Sequence, residues 1–208
     1  MPRYGMVIDL DRCISCQACV IACKIENNSP HTTPEGFKAR QMNFRTRVVP
    51  LTRAGDYPLP NFDIYPILCN HCDNPACVAV CPTGATYRRN DGIVLVDWGK
   101  CIGCKNCMAA CPYDMRFLVL SDTQEPYQNP DLPLPKKEKV DKCTFCAHLV
   151  DKGAEPACVE ACPATARIFG DLSNPSSPIS KLIASQDSQT LKPEFRTRPM
   201  VSYLARSV

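Results

Sequence analysis

All 16 cysteines of this 208-residue chain fall into four groups of four, with none left over. The groups are Cys13, Cys16, Cys19 and Cys23; Cys69, Cys72, Cys77 and Cys81; Cys101, Cys104, Cys107 and Cys111; and Cys143, Cys146, Cys158 and Cys162. No other feature constrains the fold as tightly, because each group must close its thiols around something. Three chemistries compete. Disulfides staple secreted chains that are usually well below this length. Zinc takes CxxC pairs, and the third and fourth cysteines of each group are surplus to that scheme. Iron–sulfur cubanes use four thiolates apiece.

The spacing favours the last. Groups one and three read C-x2-C-x2-C-x3-C, while "CNHCDNPACVAVC" and "CTFCAHLVDKGAEPACVEAC" widen only the middle gap. Every group ends on an x3 gap, and Pro82, Pro112 and Pro163 follow the last cysteine of groups two to four. That run with its proline is the signature of bacterial ferredoxins, in which the fourth cysteine ligates the other cluster of a pair. Cys19 and Cys23 are four apart, about one helical turn, yet by this rule they serve neighbouring cubes. Lys24 stands where the other groups have proline. Without the ring's fixed φ, the exit path of the chain changes and the ligation does not.

Between groups two and three, "ATYRR", a turn at Asn90-Asp91-Gly92 and "IVLV" read as a hairpin. This segment would join the halves of one two-cluster unit. Group one follows a strand, "YGMVIDL", and group four precedes another, "TARIFGDL". Pairing of those two strands would make a second, discontinuous unit. The resulting expectation is nested. Cys13, Cys16, Cys19 and Cys162 hold one cluster, and Cys143, Cys146, Cys158 and Cys23 the next. Cys69, Cys72, Cys77 and Cys111 hold a third, and Cys101, Cys104, Cys107 and Cys81 the fourth. Sequential pairing, group one with two and three with four, is the alternative, since adjacent elements often pair.

The expected fold class is α+β: tandem, nested bacterial-ferredoxin-like domains, loop-rich, with small antiparallel β-hairpins and short helices. Residues 1–30 and 140–172 form the discontinuous unit and residues 66–120 the continuous one. Residues 31–65 form a polar, Pro-containing insert, and 121–139 form a second, extended insert with little periodicity. Residues 173–208 form a C-terminal interface tail, with a short helix at "PISKLIASQ" and the ending "KPEFRTRPMVSYL".

The formal charge of +3 says little about the loaded protein. Four sites of −2 each would turn it into about −5, so the basic balance implies no nucleic-acid partner. The 24 Lys and Arg are read mainly as solvated surface, with some offsetting cluster charge. No Gly-rich phosphate loop, nucleophile elbow or carboxylate pair stands out, and no catalytic residue is expected. Cys13 follows "YGMVIDL" too closely for a signal peptide, and runs such as "FLVL" are far short of a bilayer span. His71 and His148 sit inside ligand groups that already have four thiolates, so packing or hydrogen bonding is their expected role. Tyr87 and Tyr113 are expected to cover clusters or fill the core. Lys24, Lys100, Lys105 and Lys142 flank ligands and either raise nearby potentials or remain solvated.

The opening "MPRYGMVIDLDRCISCQACVIAC", the phrases "CNHCDNPACVAVCPTGATY", "CIGCKNCMAACPY" and "KCTFCAHLVDKGAEPACVEACP", and the ending "TRPMVSYL" resemble the electron-transfer subunits of the dimethyl sulfoxide reductase superfamily. The likeness is greatest to the polysulfide, thiosulfate and tetrathionate reductase type and runs end to end. It implies four [4Fe–4S] clusters in a row, a catalytic partner holding molybdenum or tungsten bis-pyranopterin, and a polytopic quinone-reactive membrane anchor. It also implies attachment to the membrane through partners, on the periplasmic face, after export with a partner bearing a twin-arginine signal. Some relatives replace a group-three cysteine by Trp and carry a [3Fe–4S] centre; here Cys101 is present and Trp98 lies outside the group. Similar relays serve arsenate, selenate, dimethyl sulfoxide and hydrogenase complexes. Those systems and a free-standing ferredoxin-like carrier are the alternatives, and a zinc-stabilised scaffold is the alternative from a different class.

Overall fold

The strand expected at "YGMVIDL" forms the middle of the main sheet. In chain order the elements are β1 (Tyr4–Asp9), α1 (Ala18–Glu26), β2 (Thr46–Ala54), β3 (Asn61–Leu68), α2 (Ala76–Ala79), β4 (Thr86–Arg88), β5 (Val94–Val96) and α3 (Asn106–Ala109). There follow β6 (Phe117–Leu118), β7 (Val140–Asp141), α4 (Ala147–Val150), α5 (Ala157–Glu160), β8 (Arg167–Asp171), α6 (Pro178–Ser185), β9 (Ser188–Gln189), a 3-10 turn (Pro193–Phe195) and β10 (Val201–Leu204). The computed structural model describes residues 1–30, 43–54, 61–120 and 128–204, and only the backbone of 51–54 and 61–63. The rest of the two expected inserts and the last four residues lie outside the described residues.

β1 pairs antiparallel with β8, from Tyr4↔Asp171 to Ile8↔Arg167, and parallel with β10, from Met6↔Val201 to Asp9↔Leu204. The sheet order is β8-β1-β10-β9. Alternation along β1 sorts its side chains onto two faces. Met6 and Ile8 join Phe169, Val201 and Tyr203 in the main core. Val7 points the other way, to Ile179 and Leu204. Gly5 has no room for a side chain, since a Cβ there would lie 2.4 Å from Leu172 Cδ1 and 2.7 Å from the Met200 carbonyl. Helix α6 covers the Val7 face. Ser177 caps it, its Oγ accepting from the Ser180 N–H at 3.3 Å, and Pro178 occupies the first turn.

The hairpin between groups two and three forms as β4 and β5, in register Thr86↔Val96 to Arg88↔Val94. Its turn places Gly92 at φ 89, a conformation open to glycine without steric cost. Helix α1 of group one packs on α5 of group four, and α2 of group two packs on α3 of group three.

Two segments differ from the sequence reading. The first insert contains a long antiparallel hairpin, β2 with β3, running from Thr46↔Leu68 to Thr52↔Phe62 with a bulge before Ala54. Pro50 and Pro66 concealed it, because proline argues against an interior strand. The ladder has two strands only, so each keeps an open edge where a missing N–H costs nothing. In the C-terminal segment, Val201–Leu204 form a strand that the sequence reading did not place, β10, with Val201, Tyr203 and Leu204 at most 2% exposed. Four residues are too few to show a period, and the strand they pair with lies at the other end of the chain.

Candidate iron–sulfur centres

Each cysteine group opens with a CxxC loop, and the four loops share one backbone feature. The residue just before the second cysteine has positive φ: Ser15 at 60, His71 at 41, Gly103 at 70 and Phe145 at 51. Outside glycine this conformation costs about 1–2 kcal/mol. Its recurrence at one position in three non-glycine residues ties the strain to the loop's task, which is to turn two cysteine side chains inward. At Gly103 the conformation is joined by crowding, since a Cβ would lie 2.2 Å from the Glu138 carbonyl.

The thiols converge in sets that exchange their fourth members. Cys13, Cys16, Cys19 and Cys162 line one cavity, and the charges of Cys13 and Cys162 act on Cys19. Cys23 faces Cys143, Cys158 and Cys146. Cys72 faces Cys69, Cys77 and Cys111. Cys81, Cys101, Cys104 and Cys107 line a second cavity. Here these are called the first, second, third and fourth sets in that order. All 16 cysteines are free thiols. Among the described residues no three of His, Cys, Asp or Glu converge on a point that would hold a single ion. Four thiols spread around a volume suit a cubane and do not suit a lone zinc ion.

The sets also touch in sequence. Cys19 of the first acts on Cys158 of the second, and Cys69 of the third acts on Cys143 of the second. Arg116 lies beside Cys77, Cys69 and Cys111 of the third set and Cys107 of the fourth. Neighbouring sets are thus the first and second, the second and third, and the third and fourth.

Donors surround the sulfurs. Backbone N–H groups of Thr86, Phe145 and Ala166 point at Cys81, Cys143 and Cys162 at 3.4, 3.4 and 3.3 Å. Asn27 Nδ2 lies 3.6 Å from Cys146 Sγ and 3.8 Å from Cys23 Sγ, and its Oδ1 accepts from Arg45 Nη1 at 2.7 Å. Arg45 in turn pairs with Asp141 at 2.9 Å, both buried. The helices that carry cysteines, α1, α2, α3 and α5, and α4 beside Cys146, have no side-chain cap, unlike α6. Their first-turn N–H groups need acceptors, and cluster sulfides are acceptors. His71 makes the same point, since its Nδ1 accepts from the Val94 N–H at 3.0 Å while its buried Nε2 has no protein partner.

Burial makes most of these thiols reluctant to ionise. It pushes Cys72 up to about 12 and Cys158 up to about 11, with neighbouring cysteines adding repulsion. Cys81 moves the other way. Burial works against its thiolate too, but the N–H groups of Thr86, Thr83 and Ala85 and the Thr83 hydroxyl outweigh it and bring the pKa down to about 7. A cationic core at the centre of each set removes the repulsion, so the residues present fit the clusters.

Sequence reasoning missed Asn27, Arg45, Arg116 and Arg167. A signal for the last two exists: each lies five residues beyond a group's final cysteine, in "CPYDMR" and "CPATAR". Lys142, left open between solvent and cluster, is 1% exposed, whereas Lys100 and Lys105 are exposed. Lys24 reaches the Pro30 and Asn43 carbonyls. Tyr87 is 41% exposed and covers nothing completely. Tyr113 is buried beside Cys72 and Cys111, its hydroxyl 2.5 Å from Thr197 Oγ1. The histidines act as packing and hydrogen-bonding groups. His71 stacks on Phe145 with ring centroids 3.7 Å apart, and His148 pairs with Glu26 at 2.7 Å. Trp98 donates to the Val140 carbonyl at 3.2 Å.

Known proteins agree with this chemistry. The family model described as a 4Fe–4S dicluster domain matches residues 60–172, and that described as a 4Fe–4S binding domain matches residues 10–33. The fold and its sulfur sets thus define a ferredoxin-like iron–sulfur protein. The B subunit of tetrathionate reductase from Salmonella typhimurium is 45% identical over 97% of this chain and 72% of its own length. Thiosulfate reductase electron transfer subunit PhsB of Salmonella typhi is 42% identical over 82% of this chain and 77% of its own. The B component of polysulfide reductase from Wolinella succinogenes is 39% identical over 95% and 91%. This protein belongs to the iron–sulfur electron-transfer subunits of the dimethyl sulfoxide reductase type of enzyme. Its work is electron transfer and not catalysis on a substrate.

Proposed function

We propose that the protein binds four [4Fe–4S] clusters and relays single electrons between a polytopic quinone-reactive membrane anchor and a molybdenum or tungsten bis-pyranopterin subunit. The complex is an anaerobic respiratory reductase of the polysulfide, thiosulfate or tetrathionate type. The observation that supports the reading is that Cys162, Cys23, Cys111 and Cys81 each lie beside cysteines of another group.

The first set takes Cys13, Cys16, Cys19 and Cys162; the second Cys143, Cys146, Cys158 and Cys23; the third Cys69, Cys72, Cys77 and Cys111; the fourth Cys101, Cys104, Cys107 and Cys81. The β1–β8 pairing and the α1–α5 contact support a discontinuous unit of the first two sets, nested around a continuous unit of the last two. When bound, the clusters supply one-electron storage with little change of shape. The protein's residues do the rest. Exchanged cysteines fix the separation within each pair. The N–H donors, Asn27 and the buried arginines favour the more negative, reduced state. The buried aromatics Tyr113 and Phe145 keep water away.

Among the described residues no helix is long and apolar enough to cross a membrane. In this reading the protein is held there by partners, on the periplasmic face, after folding in the cytoplasm and export with a twin-arginine-bearing subunit. The test uses membranes containing the assembled complex. Quinol should reduce the clusters, seen by low-temperature EPR, and tetrathionate, thiosulfate or polysulfide should reoxidise them. A protein that isolates alone, with clusters indifferent to quinol, overturns the proposal. Protection from protease added to intact spheroplasts overturns its placement.

A further inference from the structure

We propose that three buried cations, Arg167, Lys142 and Arg116, stand one at each junction of the relay and hold the potentials of the two centres they share raised and matched. The inference rests on the four-centre reading above.

Arg167 is 3% exposed. It donates to Thr46 Oγ1 at 2.9 Å and points Nη1 at Cys158 Sγ at 3.7 Å, and its charge also acts on Cys19. It therefore lies between the first and second sets. Lys142 donates to the Cys143 carbonyl at 2.6 Å and to the Val94 carbonyl, and its charge acts on Cys143 of the second set and Cys77 of the third. Arg116 is 4% exposed. It donates to Cys77 Sγ at 2.8 Å and to Thr86 Oγ1 at 3.3 Å, and faces Cys69, Cys111 and Cys107. It lies between the third and fourth sets.

Among the described residues none of the three is paired with a carboxylate. Arg45 shows the contrast, since Asp141 cancels its charge. A buried, uncompensated cation is costly, so its counter-charge must be the thiolate sets on either side. Arg116 and Arg167 also repeat each other. Each follows its group's last cysteine by five residues, and each leans on a threonine hydroxyl. The same device has been kept in both halves of the molecule.

The physics is pairwise. A positive charge favours the more negative state of a nearby centre. Placed between two centres it acts on both, so neither becomes a trap relative to its neighbour. It also offsets the repulsion that an electron on one centre exerts on an electron arriving at the next. One electron leaves a centre as one enters its neighbour. No proton moves at Arg116 or Arg167, because a guanidinium stays charged at any working pH.

The test is an EPR-monitored redox titration of the complete complex carrying Arg116→Gln or Arg167→Gln. In Arg116→Gln, the two centres of the third and fourth sets should each show a reduced-to-oxidised ratio about tenfold lower at a given potential, equal to a 59 mV downward shift for one electron. The other two should stay in place. Arg167→Gln should give the reverse pattern. Arg116→Lys and Arg167→Lys keep the charge and should restore potentials to within about threefold of the unsubstituted complex. A uniform shift of all four centres, a shift confined to one, or a Lys variant that behaves like its Gln counterpart overturns the inference. Failure of the underlying reading looks different: the unsubstituted complex would not titrate as four one-electron centres.

Discussion

Cys162 lies far along the chain from Cys13, Cys16 and Cys19, yet it lines their cavity. Removing it tests the exchange directly. Cys162→Ala should lower the iron content by about four per chain, or convert one centre to a three-iron form, and alter the signal of the first set alone. Damage to the second set instead would mean that group four keeps its own cysteine. A second residue-scale prediction concerns the cluster-free protein. Cys81, at about 7, should be alkylated increasingly as pH passes neutrality, while Cys72, held near 12, stays unreactive until far higher pH. Site-resolved mass spectrometry reads both, and equal rates at pH 8 would contradict the assignment. The same shift has a stability consequence. An ordinary thiol ionises near 9.0, whereas folded Cys72 stays protonated up to about 12. Its contribution to the cluster-free fold is therefore complete below pH 9 and lost as pH rises toward 12. The midpoint of urea unfolding should fall over that window. Beside the second set, Arg45→Met leaves Asp141 buried and unpaired and should cost about 3–5 kcal/mol of unfolding free energy; a loss below about 1 kcal/mol would place the pair in solvent. At this scale the cysteines were legible because their spacing encodes a geometry. The buried arginines were not, because a single arginine in a sequence reads as surface, and only the "CPYDMR" and "CPATAR" echo distinguished two of them.

Elements were legible where a local period or turn signal announced them. Strands β1 and β8, the β4–β5 hairpin with its Asn-Asp-Gly turn, and helix α6 lie where the sequence reading put them. β2–β3 and β10 were not legible. Two prolines interrupt the first, and the second is four residues whose partner is remote in sequence. Both reach the sites. Arg45 and Thr46 at the start of the hairpin contact Asn27 and Arg167, and Tyr203 in β10 donates to the Pro66 carbonyl at 3.1 Å. The segments outside the cysteine framework thus brace it. Gly5 marks how closely β1 sits against its neighbours. Gly5→Ala should cost about 1–3 kcal/mol by overpacking, read as a lower temperature at which the cluster absorbance bleaches. An unchanged bleaching temperature would show that Leu172 and the backbone at Met200 can yield.

At the scale of the whole molecule, four of the helices around the thiols are one turn long, and these four and α1 lack a side-chain cap. Short helices of this kind do not persist alone, so bound metal supplies a large share of the folding free energy. The four cysteine groups were readable in the sequence. The sequence did not reveal the three buried cations Arg167, Lys142 and Arg116, because their places beside the thiols exist only once the chain is folded. The central claim is that each thiol set closes on an iron–sulfur cube. It is tested most directly by iron and acid-labile sulfide analysis, with low-temperature EPR, of protein purified without oxygen. About sixteen iron and sixteen sulfide per chain, with signals from interacting reduced [4Fe–4S] centres, are predicted. Protein purified in this way that holds zinc in place of iron, or no metal, and no labile sulfide would contradict the account.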